Sequence, residues 1–309
     1  MSYDTITLRQ LIGDTLNEIA ETNHDIYVID SDLAKSTTTN KFQDKHPDHF
    51  VETGIAEQNA MSIAAGIANE GKIPFYVNFA MFVSGTAWTQ LRQICYAKSN
   101  VKLIATHPGM DGGYDGATHH ANEDIALMRV LPNLKVLVPS NPKELKEAIM
   151  LAINTQGPVY IRCARDVVPN VELPIESNFG HSKVVKDMGN DFAIIYEGSS
   201  ALLAYESFDR AEELGYKGKL VNAFSIKPFD AELIKDISKE VRKIITIENH
   251  SIVGGLGSLV SETLCEETVH APIYRVGVND TFTESGPSKL VKEKYGLTVE
   301  NVISKIEQK

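Results

Sequence analysis

The chain has 309 residues, of which 43% are hydrophobic and 23% charged, a composition typical of a folded protein with room for two domains. The formal net charge of −11 disfavours nucleic acid or an anionic membrane as a partner, although a local cluster of Arg and His can still bind a phosphate. There is no apolar run near the roughly 18 residues of a membrane span, no signal-peptide pattern and no disulfide or zinc spacing among the three cysteines, so we expect a cytoplasmic protein.

In the first half of the chain, apolar runs of strand length alternate with helical patterns. The predicted strands are residues 26–29, 74–77, 101–105, 134–138 and 158–162. Continuous apolar runs are typical of parallel strands that are covered on both faces. A helix is predicted over residues 8–19, with Thr7 and Gln10 as a capping box. A buried helix is predicted over residues 60–68, and Asn141 in front of a proline predicts another helix start.

A second alternating set follows a stretch of mixed polar residues, proline and glycine. Its predicted strands and helices are residues 192–196, 201–214, 218–221, 231–239, 243–247, 255–266, 272–276 and 288–294. Strands that alternate with helices predict parallel sheets joined by right-handed crossovers. We therefore predict an α/β protein with two parallel-sheet α/β domains: a first domain over residues 1–170, a linker over 171–190, and a smaller domain over 191–309.

Two short segments carry candidate site residues. Glu57, in the segment Gly-Ile-Ala-Glu-Gln at residues 54–58, lies where a loop enters the predicted apolar helix. A carboxyl group there suits proton exchange, although the helix macrodipole alone also favours a glutamate at a helix N-terminus. Phe79 and Phe82 follow a predicted strand. Such rings are often core residues, but they also stack against flat heterocycles.

The segment at residues 107–120, His-Pro-Gly-Met-Asp-Gly-Gly-Tyr-Asp-Gly-Ala-Thr-His-His, is the most specific in the chain. It follows a predicted strand, which is where α/β proteins place ligand-binding loops. Its glycines allow a close approach to a ligand, and its acids and histidines offer hydrogen-bonding groups. A surface turn and a metal site formed by His119, His120 and Glu123 are alternative interpretations, the second without clear ligand spacing.

Taken in order, these segments resemble the pyrimidine-binding half of the transketolase family of thiamine diphosphate enzymes. The segment 54–58 is also similar to that of 1-deoxyxylulose-5-phosphate synthase and of 2-oxo acid dehydrogenase β subunits. The resemblance implies that Glu57 is catalytic and hydrogen-bonds the aminopyrimidine ring of the cofactor. It implies that Phe79 and Phe82 stack against that ring, and that Asp32 lies near the cofactor and the dimer interface.

The resemblance also implies residues that bind a sugar phosphate. Asp115 would hydrogen-bond a sugar hydroxyl, and His119 would contact the reacting hydroxyls and share in proton transfer as a catalytic residue. The residues expected to hold the phosphate are His107, Arg165, Arg9 and Ser36. The chain departs from the transketolase pattern at Ala56, Gln58, Gly85, Pro108, Gly109 and Tyr114, so the sugars it uses stay open.

The later segments 224–230 and 248–258 resemble the C-terminal domain of the same families. The glycines of the second segment could open a helix N-terminus that binds an anion. Tight turns in an assembly domain are the plainer interpretation, and we prefer it.

The diphosphate-binding half of such an enzyme has no counterpart here, because the sequence contains no Gly-Asp-Gly motif, P-loop or dinucleotide fingerprint. The resemblance therefore implies the C-terminal subunit of a two-chain transketolase, with no metal ligands of its own. A partner N-terminal subunit would bind the diphosphate and Mg²⁺, naturally in an α2β2 assembly. Together the subunits would transfer a two-carbon ketol unit from a ketose phosphate to an aldose phosphate. The alternatives are a 2-oxo acid dehydrogenase β subunit or a deoxyxylulose-phosphate synthase half, and a non-catalytic binding protein on the same scaffold.

Overall fold

The computed structural model describes residues 3–308 except Glu172 and Pro174. The strands are β1 (Thr5–Thr7), β2 (Ile26–Asp30), β3 (Phe50–Glu52), β4 (Ile73–Phe79), β5 (Lys102–Thr106), β6 (Lys135–Leu137), β7 (Val159–Cys163), β8 (Val167–Pro169), β9 (Lys183–Asp187), β10 (Phe192–Tyr196), β11 (Gly218–Asn222), β12 (Ser225–Lys227), β13 (Ile244–Ser251) and β14 (Ile273–Val278). The helices are α1 (Ile12–Ala20), α2 (Ala34–Thr37), α3 (Asn40–Lys45), α4 (Glu57–Asn69), α5 (Trp88–Ala97), α6 (Asp124–Arg129), α7 (Pro142–Ile153), α8 (Ala201–Glu213), α9 (Ala231–Glu240), α10 (Leu256–Leu264), α11 (Ser288–Lys294) and α12 (Val299–Glu307). None of the described helices is long and apolar enough to cross a membrane.

The first sheet has seven strands in the order β12-β6-β7-β5-β4-β2-β3. Its strands pair in parallel apart from β12, which pairs antiparallel with β6. The predicted parallel α/β fold is thus confirmed, with one antiparallel edge strand. That strand comes from residues 225–227, beyond the first 170 residues, so the later part of the chain completes the first sheet.

The second sheet has five strands in the order β14-β13-β10-β11-β9. Strands β14, β13, β10 and β11 pair in parallel, and β9 pairs antiparallel with β11. β9 lies within residues 171–190, so part of the expected linker is an edge strand of this sheet. A two-stranded ribbon of β1 and β8 lies apart from both sheets.

The helix starts agree only partly with the sequence patterns. Asn141 is the N-cap of α7, as predicted: its side chain accepts a hydrogen bond from the Glu144 amide at 2.9 Å. The capping box predicted at Thr7 and Gln10 is wrong, because the Thr7 side chain makes no capping bond. Residues 8–11 form a 3₁₀ turn, and α1 begins only at Ile12, which leaves Gln10 outside the α-helix.

A buried ionic network joins the two domains. The Arg162 guanidinium, 1% exposed, donates from Nε to Asp124 Oδ2 and from Nη1 to Glu197 Oε2, both at 2.8 Å. Burial raises the pKa of each carboxyl, but the charge of Arg162 and the hydrogen bonds that each carboxylate accepts together hold both below their ordinary range. Arg162 also donates to the Asn249 carbonyl oxygen at 2.9 Å. Because β7 belongs to the first sheet while Glu197 follows β10, this network fixes one domain against the other.

Candidate active site

The candidate site residues collect at one edge of the seven-stranded sheet. The residues that follow the carboxyl ends of its parallel strands are Asp32 and Ser36 after β2, Glu57 after β3, Phe82 after β4, His107, Asp115 and His119 after β5, and Arg165 after β7, with Phe79 as the last residue of β4. The strand order β7-β5-β4-β2-β3 places these residues side by side. This edge is where open α/β sheets bind ligands. Arg9 comes from the 3₁₀ turn before α1 and reaches the edge by donating from Nη1 to the Ser36 carbonyl oxygen at 2.6 Å.

Glu57 is the first residue of α4 and is 9% exposed. Within the described part of the chain, no hydrogen bond to its carboxylate is found, although most buried polar groups have a partner. Burial raises the pKa of the neighbouring Tyr76 hydroxyl, and the charge of Glu57 adds to the rise. The Tyr76 hydroxyl itself is hydrogen-bonded to Ser31 at 3.2 Å and to Asn78 at 2.8 Å. Glu57 is thus a mostly buried residue whose carboxylate has no hydrogen-bond partner among the described residues.

Four aromatic residues expected in the site are brought together beside β4. The rings of Phe79 and Phe82 are nearly parallel, with centroids 6.0 Å apart. The His107 ring lies 3.8 Å from that of Phe79, and the His119 ring meets Phe82 edge-on at 5.3 Å. Phe82 begins a π-helical turn, Phe82–Thr86, a local irregularity that is frequent at functional sites. The cluster is a flat apolar wall with two imidazoles at its margin.

His107 is a buried, neutral imidazole. It is 4% exposed, and Nδ1 lies 2.9 Å from the Thr106 hydroxyl. Burial, which is the largest cause, and the nearby charges of Arg9 and Arg165 together lower its pKa to about 3. Its backbone has φ +56°, and that of Asp32 has φ +60°. Non-glycine residues in this region are strained and cluster at functional sites, so two loops of this edge are held in unfavourable conformations.

Arg9 and Arg165 supply positive charge next to His107. Burial lowers the pKa of Arg9, and the charge of Arg165 lowers it further, while the charge of Asp166 opposes the fall. The two guanidinium groups therefore lie near each other. Arg9 Nε is buried and has no hydrogen-bond partner within the described residues. Two partly buried guanidinium groups beside a neutral imidazole suit a dianionic ligand such as a phosphate ester.

Asp111 and its partners have no role in the sequence-based interpretation. Asp111 is fully buried in the 107–120 segment, and its Oδ2 accepts the backbone N–H groups of Arg165 and Asp166 at 2.9 and 3.1 Å. Its Oδ1 accepts from Asn249 Nδ2 at 2.8 Å and from Lys292 Nζ at 2.7 Å. These contacts tie the site loop to both Arg165 and the C-terminal domain. The sequence signal for Asp111 was an acidic residue in a glycine-rich loop. Its partners Asn249 and Lys292 are far away in the sequence, so no local pattern indicates these contacts.

A cavity of about 960 Å³ lies between the two domains and is lined by Arg9, Arg165 and residues of α8, α11 and α12. Three large apolar side chains are exposed in loops near the site: Ile55 two residues before Glu57, Tyr114 in the 107–120 segment, and Phe282 next to Thr283, whose hydroxyl meets His120. Exposed apolar residues next to polar ones are typical of interaction surfaces. Asp32 and Asp115 are exposed at the edge of the sheet.

The structure does not favour the metal interpretation of His119, His120 and Glu123. His120 Nδ1 lies 2.6 Å from the Thr283 hydroxyl and Nε2 lies 3.1 Å from the Gly113 carbonyl oxygen, so both ring nitrogens are already engaged. Across the residues that the structure describes, no cluster of three His, Cys, Asp or Glu side chains could hold a metal ion.

The glycine-rich start of α10 is not an anion-binding site. Its backbone N–H groups, of Leu256 and Gly257, donate to the buried Glu248 carboxylate at 2.7 and 2.9 Å. Burial raises the pKa of Glu248 to about 8, and the two donors oppose the rise. The helix N-terminus is therefore filled by a side chain of the chain itself, in agreement with the preferred interpretation as a structural turn.

Acids, aromatic rings and cations along the carboxyl edge of a parallel sheet define the class of α/β ligand-binding domains. Two family models match the sequence and identify its family. "Transketolase, pyrimidine binding domain" matches residues 4–170, and "Transketolase, C-terminal domain" matches residues 180–302. The chain belongs to the transketolase family, whose members generally use thiamine diphosphate and a divalent metal.

Individual relatives are similar over nearly the whole chain. A "Putative transketolase C-terminal section" of Methanocaldococcus jannaschii is 37% identical over 97% of this chain and 95% of its own length. One of the subunits of an apulose-4-phosphate transketolase of Phocaeicola vulgatus is 34% identical over 98% of this chain and 97% of its own. A solved structure described as "Split gene transketolase, inactive beta4 tetramer" is 42% identical with a TM-score of 0.89, covering 98% of this chain and 97% of that one. The chain is thus similar to whole subunits of divided transketolases.

Proposed function

We propose that this chain is the C-terminal subunit of a two-chain transketolase, which transfers a two-carbon ketol unit from a ketose phosphate to an aldose phosphate. The observation that carries the proposal is the position of Glu57, whose carboxylate has no hydrogen bond within the described residues. It lies on the same sheet edge as the Phe79–Phe82 wall and the pair Arg9 and Arg165. One end of this edge suits an aromatic ring with a protonatable nitrogen, and the other suits a phosphate.

The residues present fit the pyrimidine end of thiamine diphosphate. Glu57 lacks a hydrogen-bond partner from the described part of the chain and is free to hold a ring nitrogen, with its proton shared between the two. Phe79 and Phe82 would stack against the ring, and the exposed Asp32 would lie near the cofactor and a neighbouring subunit. When bound, the cofactor supplies the nucleophilic carbon on which the two-carbon unit is carried.

The substrate residues would act around that centre. Asp115 would accept a hydrogen bond from a sugar hydroxyl, and His119, beside Phe82, would bind the reacting hydroxyls and move a proton at them. Arg9 and Arg165 would bind the phosphate oxygens, with His107 donating as a neutral imidazole rather than a cation. Ser36, whose carbonyl oxygen already accepts from Arg9, would complete this end.

A partner chain would supply the remaining half of the site. The N-terminal transketolase subunit would bind the diphosphate and Mg²⁺, and it would cover the exposed Ile55, Tyr114 and Phe282 in an α2β2 assembly. The relative described as an inactive β4 tetramer supports the expectation that this chain is inactive alone. The three cysteines are free thiols, which suits a cytoplasmic location.

The test is reconstitution with the chain that carries the Gly-Asp-Gly…Asn diphosphate motif, in the presence of thiamine diphosphate and Mg²⁺. The complex should convert xylulose 5-phosphate and ribose 5-phosphate, and each chain alone should not. Full ketol transfer by this chain alone would contradict the two-subunit proposal. Turnover of pyruvate without turnover of xylulose 5-phosphate would instead support a 2-oxo acid dehydrogenase β subunit or a synthase half.

A further inference from the structure

Helix α11 of the C-terminal domain reaches the phosphate end of the site through one lysine. Lys292 Nζ lies 2.7 Å from Asp111 Oδ1 and 2.8 Å from Asp166 Oδ2, and its side chain is 17% exposed. The same helix contributes Ser288, whose hydroxyl donates to Asp166 and lies 3.2 Å from the Met110 carbonyl oxygen. Lys292 therefore neutralises two carboxylates that face Arg165.

Each of these carboxylates has a direct contact with Arg165. Asp111 Oδ2 accepts the backbone N–H of Arg165, and the Asp111 carbonyl oxygen accepts from Arg165 Nη1 at 3.2 Å. Asp166 Oδ1 lies 3.5 Å from Arg165 Nη1, which is a weak contact, while the Oδ2 of the same carboxylate is held by α11. Without the lysine, the Asp166 carboxylate would be free to pair fully with the guanidinium, the geometry that arginine favours.

We propose that Lys292 is a positioning residue that keeps the Arg165 guanidinium available for the substrate phosphate. It does so by engaging Asp111 and Asp166, the two carboxylates that would otherwise displace or neutralise Arg165. The inference rests on the proposed function, since it takes Arg165 as a phosphate-binding residue. It gives the C-terminal domain a role in selecting phosphorylated sugars.

The test measures the binding of ribose 5-phosphate and of ribose to the complex reconstituted with its partner subunit, by titration calorimetry. Lys292→Met should weaken ribose 5-phosphate binding about tenfold, the effect of losing one charge-assisted hydrogen bond. Ribose binding should stay within about twofold, because ribose has no phosphate for Arg165 to bind. In ketol transfer, KM for xylulose 5-phosphate should rise while kcat stays near that of the wild type.

Lys294→Met is the matched control, because Lys294 lies on the same helix with its side chain 57% exposed and is not among the residues that line the cavity with Arg9 and Arg165. It removes the same charge and should leave both affinities unchanged. If Lys292→Met does not fold, Ser288→Ala takes its place and should weaken ribose 5-phosphate binding about threefold, since it removes one of the α11 contacts to Asp166.

Equal weakening of ribose and ribose 5-phosphate binding would overturn the inference, because it would indicate a general structural defect. Unchanged ribose 5-phosphate binding in a folded variant would overturn it as well. The binding measurement needs no turnover, so it is separate from the proposed activity. A wild-type complex that binds ribose 5-phosphate but transfers no ketol unit would contradict the proposed function and leave the role of Lys292 in place.

Discussion

Arg162 and Arg165 lie three residues apart at the end of one strand and have opposite environments. Arg162 is 1% exposed, and its guanidinium donates to Asp124, Glu197, Ser199 and the Asn249 carbonyl oxygen. Arg165 is partly exposed, and within the residues that the structure describes its guanidinium makes a long contact with Asp166 and one bond to a carbonyl oxygen. The first arginine is satisfied by the protein itself, whereas the second retains hydrogen-bonding capacity.

The same contrast separates the interdomain network from the sheet edge. Between the domains, charged groups are buried and paired with one another, as stability requires. Along the edge, Arg9 Nε is buried without a hydrogen-bond partner within the described residues, and Glu57 is 9% exposed and makes no carboxylate hydrogen bond to those residues. Buried polar groups without partners indicate a site that is completed by something outside the chain. Substitutions in the network should therefore affect folding, and substitutions at the edge should affect activity.

Glu57→Ala should produce the largest effect on activity. The complex should lose about ten-thousandfold in kcat, because the protonatable carboxyl group beside the cofactor ring is removed. The thermal midpoint of the isolated chain should change little, since the Glu57 carboxylate makes no hydrogen bond within the described part of the chain. Glu70→Ala, at the exposed far end of α4, is the control and should retain full activity. Undiminished biological activity of Glu57→Ala would favour the non-catalytic alternative.

Arg162→Met should produce the largest effect on stability. It leaves the Asp124 and Glu197 carboxylates buried without their cation, which should lower the free energy of unfolding by about 4 kcal/mol in a chemical denaturation experiment. Adding Asp124→Asn and Glu197→Gln should recover part of the loss, because the uncompensated charges are then gone. Normal stability of the single variant would mean that the network does not hold the domains together.

Arg165→Met should have the opposite effects to Arg162→Met: it should weaken substrate binding and leave the stability of the fold nearly unchanged. The affinity for a ketose phosphate should fall by about thirtyfold, or about 2 kcal/mol, because a charge-assisted contact to the phosphate is lost. Stability should change by less than about 1 kcal/mol, since the side chain is partly exposed. The measurement is kcat/KM for xylulose 5-phosphate against xylulose, together with a denaturation curve. Equal losses for both sugars would contradict a phosphate-binding role.

The sequence predicted the fold because the fold depends on local patterns. Continuous apolar runs marked the central strands, and the segments containing Glu57, Phe79 and His107 follow those strands directly. Parallel strands bring their carboxyl ends to one edge, so residues that are far apart in sequence lie together there.

The rest depends on partners that leave no local signal. Asp111 meets Lys292 across 181 residues, and β12 joins a sheet whose other strands all precede residue 170. The edge strand β9 lies in a polar stretch that suggested a linker. The sequence does contain one signal for the buried ionic network. Arg162 lies in an otherwise apolar predicted strand, and a charge buried there requires carboxylates nearby.

The smallest predicted effect is the contribution of the buried His107 to the loss of folding stability in mildly acidic solution. The folded-state pKa of His107 is about 3, far below the value of about 6.5 expected in the unfolded chain. The unfolded chain therefore binds the proton more readily, and stability is lost as the pH falls below about 6.5. Between pH 7.5 and 5.5, this residue should lower the free energy of unfolding by about 1.4 kcal/mol. His107→Gln should remove that share of the pH dependence in denaturation curves, with the exposed His24→Gln as the control for the substitution. An unchanged slope in His107→Gln would mean that His107 binds its proton as readily in the folded chain as in the unfolded one, so that it would be a cation at the phosphate end of the site in mildly acidic solution.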